Sequence, residues 1–274
     1  MICMVSMAGT VAPVNQVAAT ADGYQLVWFD EFDKDGKLDD KNWSYEKGFA
    51  RNHELQWYQP ENAFCENGIL ILEGRRERKP NPAYKAGSKD WRKSRKQIEY
   101  TSASVTTLGL HQWKYGRFEI RAKIDTRPGM WPAIWTLGTS GEWPSNGEID
   151  IMEYYKGTLL ANLVWATNSR WIGKWDSAKK PIADFHDPDW AKTFHVWRMD
   201  WDEQAIRLYV DGVLLNSTEL KDTINDDAER RNPFKQSHYL LLNLAIGGDN
   251  GGDPSGTDFP ARCEIDYVRV YQKK

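Results

Sequence analysis

Cysteine is scarce in this chain: three in 274 residues, Cys3, Cys65 and Cys263. No Cys/His cluster has zinc-ligand spacing. Cys65 and Cys263 can form at most one disulfide, a pairing that sequence alone leaves open. Long apolar runs are missing, so no segment approaches a membrane span. Neither sign of charge dominates: a formal net charge of -3 leaves no electrostatic footprint for nucleic acid or an anionic membrane. A convincing long helical period, internal repeats and low-complexity linkers are absent as well. With 41% hydrophobic residues, residues 22–274 read as a single domain with one sizeable core, expected to be monomeric. The first 21 residues carry no charged side chain. Ile2 to Val11 is mildly apolar and Ala19-Thr20-Ala21 has the small-x-small form of a signal-peptidase site, although a basic start is missing. Residues 1–21 therefore read as a truncated signal peptide, and the protein as exported: extracellular, periplasmic or at the cell surface of a bacterial-type cell.

Aromatic residues are abundant, at 13% with 14 Trp. Tryptophan is the best side chain for stacking on the apolar faces of sugar rings, though core packing must account for many of these rings. Short β-branched and aromatic runs recur between Gly, Pro, Asn and Asp. Tyr24 to Phe29, Ile69 to Glu73, Ala103 to Leu108, Phe118 to Ile124, Ala133 to Leu137, Glu148 to Tyr154 and Ala161 to Trp165 read as strands. So do His195 to Trp201, Ala205 to Val210, Tyr239 to Ile246 and Ile265 to Tyr271, with Asp211-Gly212 as a hairpin turn. Many short strands with regular turn signals indicate an all-β sandwich or jelly roll. The run from Glu73 to Lys96 carries ten Lys and Arg residues and reads as a solvated loop that could fold over one end of a cleft.

The most informative string is Gly147-Glu148-Ile149-Asp150-Ile151-Met152-Glu153. Its β-branched residues favour a strand, with Glu148 and Asp150 on one face and Ile149 and Ile151 on the other. On a regular strand Glu153 would point into the apolar layer, where an ionised carboxylate is very costly. One extra residue, a β-bulge around Ile151-Met152, returns Glu153 to the face of the other two acids. Like charges held that close push proton affinities apart. A glycosidase needs that separation, one carboxylate ionised and one protonated. An edge strand with solvated acids would have no need of Trp143, Tyr154, Tyr155 and the Gly129-Met130-Trp131-Pro132-Ala133-Ile134-Trp135 segment nearby.

Glu148-Ile149-Asp150-Ile151-Met152-Glu153 resembles the bulged signature of glycoside hydrolase family 16, as in its laminarinase-like and galactanase-like branches. Val27 to Phe32, Tyr115 to Lys123, Gly129 to Trp135, Asn243 to Gly248 and Asp266 to Tyr271 resemble that family's other segments in order. The resemblance implies a jelly roll of two antiparallel sheets whose concave face forms a sugar cleft. It implies Glu148 as nucleophile, Glu153 as general acid and base, and Asp150 tuning both. It implies sugar contacts from Asn52, Trp131 and Trp135, and less directly from Arg117, for which a structural pair with an acid on a neighbouring strand is the competing reading. Many relatives offer a His beside the acid/base on the next strand; Ala161-Asn162-Leu163-Val164-Trp165 has none. Asp266 resembles the side-chain ligand of a structural calcium on the convex face, while catalysis needs no cofactor. The implied partners are β-glucan polysaccharide and its oligosaccharides, cut by an endo-acting retaining β-1,3 or mixed β-1,3-1,4-glucanase. Two alternatives stand beside it: a hydrolase of red-algal galactans, for which Arg170, Lys174, Lys179 and Lys180 could meet sulfate, and a non-catalytic carbohydrate-binding jelly roll.

Overall fold

The computed structural model describes residues 22–273; the signal-peptide reading of residues 1–21 lies outside the described residues. The strands, in chain order, are β1 (Tyr24–Asp30), β2 (Ser44–Tyr45), β3 (Gln56–Tyr58), β4 (Ala63–Glu66), β5 (Ile69–Pro80) and β6 (Gln97–Ser102). Then come β7 (Ser104–Thr106), β8 (Gly116–Lys123), β9 (Met130–Gly138), β10 (Glu148–Tyr155), β11 (Thr158–Ala166) and β12 (Gly173–Pro181). The chain closes with β13 (His195–Trp201), β14 (Ala205–Val210), β15 (Val213–Glu219), β16 (His238–Ile246) and β17 (Ala261–Lys273). Seven strands form the sheet that carries the acids, in the order β12-β11-β10-β9-β16-β7-β2. The other ten form the opposing sheet, β15-β14-β13-β8-β17-β5-β6-β3, with β1 on β17 and β4 on β5. The architecture is the expected all-β jelly-roll sandwich. Its one departure from antiparallel pairing is β3, which runs parallel to β6.

Period-two alternation decides what enters the core between the sheets. Strand β8 buries Phe118, Ile120 and Ala122 and turns Arg117, Glu119, Arg121 and Lys123 outward. Met130, Ile134, Ile149, Leu163 and Leu242 face them from the seven-stranded sheet. Each such side chain contributes about 1.5–3 kcal/mol by leaving water.

The same parity corrects one expectation. Arg117 is not a sugar ligand: β8 lies in the ten-stranded sheet, and its odd-numbered residues point away from the sandwich. There Arg117 grips Asp200, its cross-strand partner on β13, through two bonds of 2.7 and 3.0 Å, and it also pairs with Asp22. Asp266 sits at an irregularity of β17 between Ile265 and Tyr267, and its carboxylate accepts from the Arg121 guanidinium. A cation already neutralises the side chain expected to bind calcium. Among the described residues no group of three or more His, Cys, Asp or Glu could hold a metal.

Two further readings resolve. Strand β5 lies between Cys65 on β4 and Cys263 on β17, so two strand spacings, together about 10 Å, hold them apart. Both thiols are free and buried, and burial pushes Cys65 up to about 12. Half of the basic run is not loop: Ile69–Pro80 is one twelve-residue strand that continues past the core, and Trp91–Ser94 is a short helix. Beyond that helix the Arg95 guanidinium donates to the carbonyls of His53 and Glu54, bracing the Asn52 to Glu54 loop.

Candidate active site

The bulge forms where the acid spacing demands it. On β11, Asp150 faces Asn162 and Glu153 faces Leu160; on β9, Asp150 faces Trp135 and Glu153 faces Ala133. Three steps along β10 thus match two on each neighbour. Ile151 and Met152 take the extra step and both sit in the core at 0% exposure. Glu148, Asp150 and Glu153 are thereby returned to one face, where all three line the cleft. Gly147 starts the strand at φ +74°, and a Cβ there would meet Pro233 Cβ at 2.7 Å, so the turn into Glu148 requires glycine.

Each acid has its own donor. The Trp143 indole N–H donates to Glu148 Oε2 at 2.8 Å, and that of Trp131 to Glu153 Oε1 at 2.7 Å. Asn162 spans the gap left by the missing histidine: its Nδ2 donates to Asp150 at 3.2 Å and to Glu153 at 3.3 Å. Burial raises all three carboxyls, as removal from water disfavours their charged forms. Glu153 is pushed up to about 8 by burial and by the charge of Asp150, against the pull of Trp131. Glu148 is raised by burial and by Glu153, but Trp143, a hydrogen bond with Asp150 and the charge of Arg51 all favour its ionised form. Asp150 is raised by burial and by Glu148, the direction of a protonated acid that donates to its neighbour. The set can hold an ionised Glu148 beside a protonated Glu153 near neutral pH.

The acids lie in an open cleft of about 580 Å³. Trp131 and Trp135 share its face of β9, as expected, and Trp135 Nε1 donates to Asn243 Oδ1 at 2.7 Å. Asn52 also lines it, on a left-handed backbone at φ 52°, and is tied to Glu54. Sequence reasoning missed Arg51, Glu54, Trp143 and Asn243. The Arg51 guanidinium lies 5.1 Å from the Trp135 ring centroid and pairs with Glu46. Glu54 is 2% exposed and pushed up to about 7 by burial, with Gln56 donating to it. Trp143, as a ring flanking the acids, and Asn243, as the first residue of a family-like segment, carried readable signals. Of the basic residues weighed for sulfate, Lys179 alone lines the cleft. Arg170 pairs with Glu142, while Lys174 and Lys180 lie over the rings of Trp165 and Phe185.

With this geometry, residues 52–269 match the model of glycosyl hydrolases family 16. The chain belongs to glycosyl hydrolase family 16. It is 36% identical to a β-glucanase of Rhodothermus marinus, over 92% of this chain and 86% of that protein. It resembles the laminarinase catalytic domain of Thermotoga maritima at TM-score 0.76 and 34% identity, covering 92% of this chain and 99% of the domain. A solved structure from the endo-acting O-glycanases with which members of the human gut microbiota initiate mucin breakdown matches at TM-score 0.85 and 36% identity, covering 93% of both chains. Family 16 membership together with relatives named as β-glucanases makes the protein a glycoside hydrolase.

Proposed function

We propose that the protein is an endo-acting β-glucanase that cuts β-1,3 or mixed β-1,3-1,4 linkages with retention of anomeric configuration. The observation that carries the reading is the bulge that puts Glu148, Asp150 and Glu153 on one face of one strand. Retaining enzymes hold their two carboxyls roughly 5–5.5 Å apart and inverting ones farther, and two acids on one strand facing one cleft across Asp150 support the former. Glu148, kept ionised by Trp143 and Arg51, attacks the anomeric carbon. Glu153 protonates the departing oxygen, then as a carboxylate takes a proton from the water that releases the sugar. Asp150 keeps its proton and donates a hydrogen bond to Glu148, which holds the nucleophile in place. Trp131 and Trp135 give apolar faces suited to neutral sugars, and Lys179 is the one lysine at the cleft. Substrates named for relatives agree, including a non-specific endo-β-1,3(4)-glucanase structure at TM-score 0.75.

The likeness to the mucin-acting O-glycanase structure favours a second reading, endo-cleavage of mucin-type glycans by the same acids. Initial rates of reducing-end release on laminarin, mixed-linkage glucan, agarose, carrageenan and gastric mucin separate the two. The glucanase reading expects the highest rate on one of the glucans, with a rapid fall in viscosity and mixed early oligosaccharides. Faster cleavage of a galactan or of mucin than of both glucans overturns it and leaves the retaining mechanism untouched.

A further inference from the structure

The cleft continues past the acids onto β12, the edge strand of the seven-stranded sheet. Strand register lays its residues out in rows: Glu148 faces Val164, which faces Trp175; Asp150 faces Asn162, which faces Ser177; Glu153 faces Leu160, which faces Lys179. Trp175, Ser177 and Lys179 all line the cleft. The opposite face of β12 is held from behind, where Thr218 of β15 donates to Asp176 at 2.7 Å. The orientation of Trp175 toward the cleft is therefore built in.

Exposure sets this side of the cleft apart. Trp175 is 48% exposed, whereas Trp131 and Trp135 are at 5% and 6%, hydrogen-bonded to Glu153 and Asn243. A half-bare indole on an edge strand is an aggregation liability unless something covers it. Trp131 and Trp135 line the cleft on the β9 side of the acids. Two strand spacings, together about 10 Å, separate Glu148 from Trp175 along their shared row, roughly the length of two pyranose units.

We propose that β12 is the leaving-group wall of the cleft and that Trp175 stacks on the second sugar beyond the bond that is cut. The inference deepens the glucanase reading and rests on it. Trp175 is thus a specificity residue for chain length on the departing side.

The test compares wild type, Trp175→Ala and Trp175→Phe on laminarihexaose and on 4-nitrophenyl β-laminaribioside, whose leaving group carries no sugar to β12. Trp175→Ala is expected to lower kcat/KM for the hexaose roughly three- to tenfold, with Phe restoring most of it. The aryl glycoside rate is expected to stay unchanged. Product analysis in ¹⁸O-water should show fewer cuts that leave two or more sugars on the reducing side. Equal losses on both substrates, or no loss on either, overturn the proposal. An inactive wild type on both defeats the glucanase reading itself, and this inference with it.

Discussion

The indole N–H of Trp131 donates to Glu153 Oε1 at 2.7 Å, opposing the burial and the Asp150 charge that push this carboxyl up to about 8. A donor of this kind favours the carboxylate, so the tryptophan limits how strongly the proton is held. Trp131→Phe keeps a ring against the sugar and removes the donor. Glu153 should then hold its proton to higher pH, and the alkaline limb of the kcat/KM profile should move upward. The same limb in both enzymes would mean that Glu153 is not the titrating acid.

Deleting Met152 should abolish activity although it removes no catalytic group. Ile151 and Met152 together oppose the single residue Ala161 on β11, and without one of them alternation sends Glu153 into the core or shifts the register of the strand end. Circular dichroism separates loss of activity from loss of fold. A folded deletion variant with near-native rates contradicts the geometric account.

The acids were legible because a costly alternative forced the reading: three carboxylates and three apolar residues fit β10 only with a bulge. Arg117 was legible in the same way, since Phe118, Ile120 and Ala122 had already claimed the inner face of β8. The family likeness pulled the other way there. Strand β12 escaped because its residues alternate between a solvent-open cleft and a half-covered back, with no apolar face to mark it. The outer half of β5 was hidden likewise, as Arg75 to Pro80 leave the core and pair with β6 through an irregular register. The hydrogen bond from Trp143 to Glu148 and the braced Arg51 depend on loop paths that no period encodes.

The carboxyls that equip the site should weaken the fold at alkaline pH. Glu153 in the folded protein is raised to about 8 from its ordinary 4.5, so between those values the native state binds more protons than the unfolded chain. Stability contributed by the neutral form is complete below about pH 4.5 and is lost as pH rises through 8. Glu153→Gln removes that loss. Its melting temperature should exceed that of wild type at pH 8 by a few degrees, with the difference shrinking toward pH 5. A gain that is equal at both pH values would assign the effect to packing instead of proton linkage.

Glu148→Gln keeps the shape of the side chain and removes the charge that attacks. Glu148 is the acid whose ionised form is favoured by the Trp143 indole at 2.8 Å, by Asp150 and by Arg51, so no neighbour is equally placed to replace it. Turnover should fall by roughly 10³-fold or more, while the melting transition and oligosaccharide binding by calorimetry persist. Proton NMR of the first product, recorded before mutarotation, reads the stereochemistry directly in the wild type. Double displacement through Glu148 gives the retained β-anomer, because each of two attacks inverts the same carbon. An α-anomer as the first product would require a single attack by water, and Glu148 could then be only a base. The tight, one-strand arrangement of the acids would in that case have been misread, whatever glycan the cleft proves to hold.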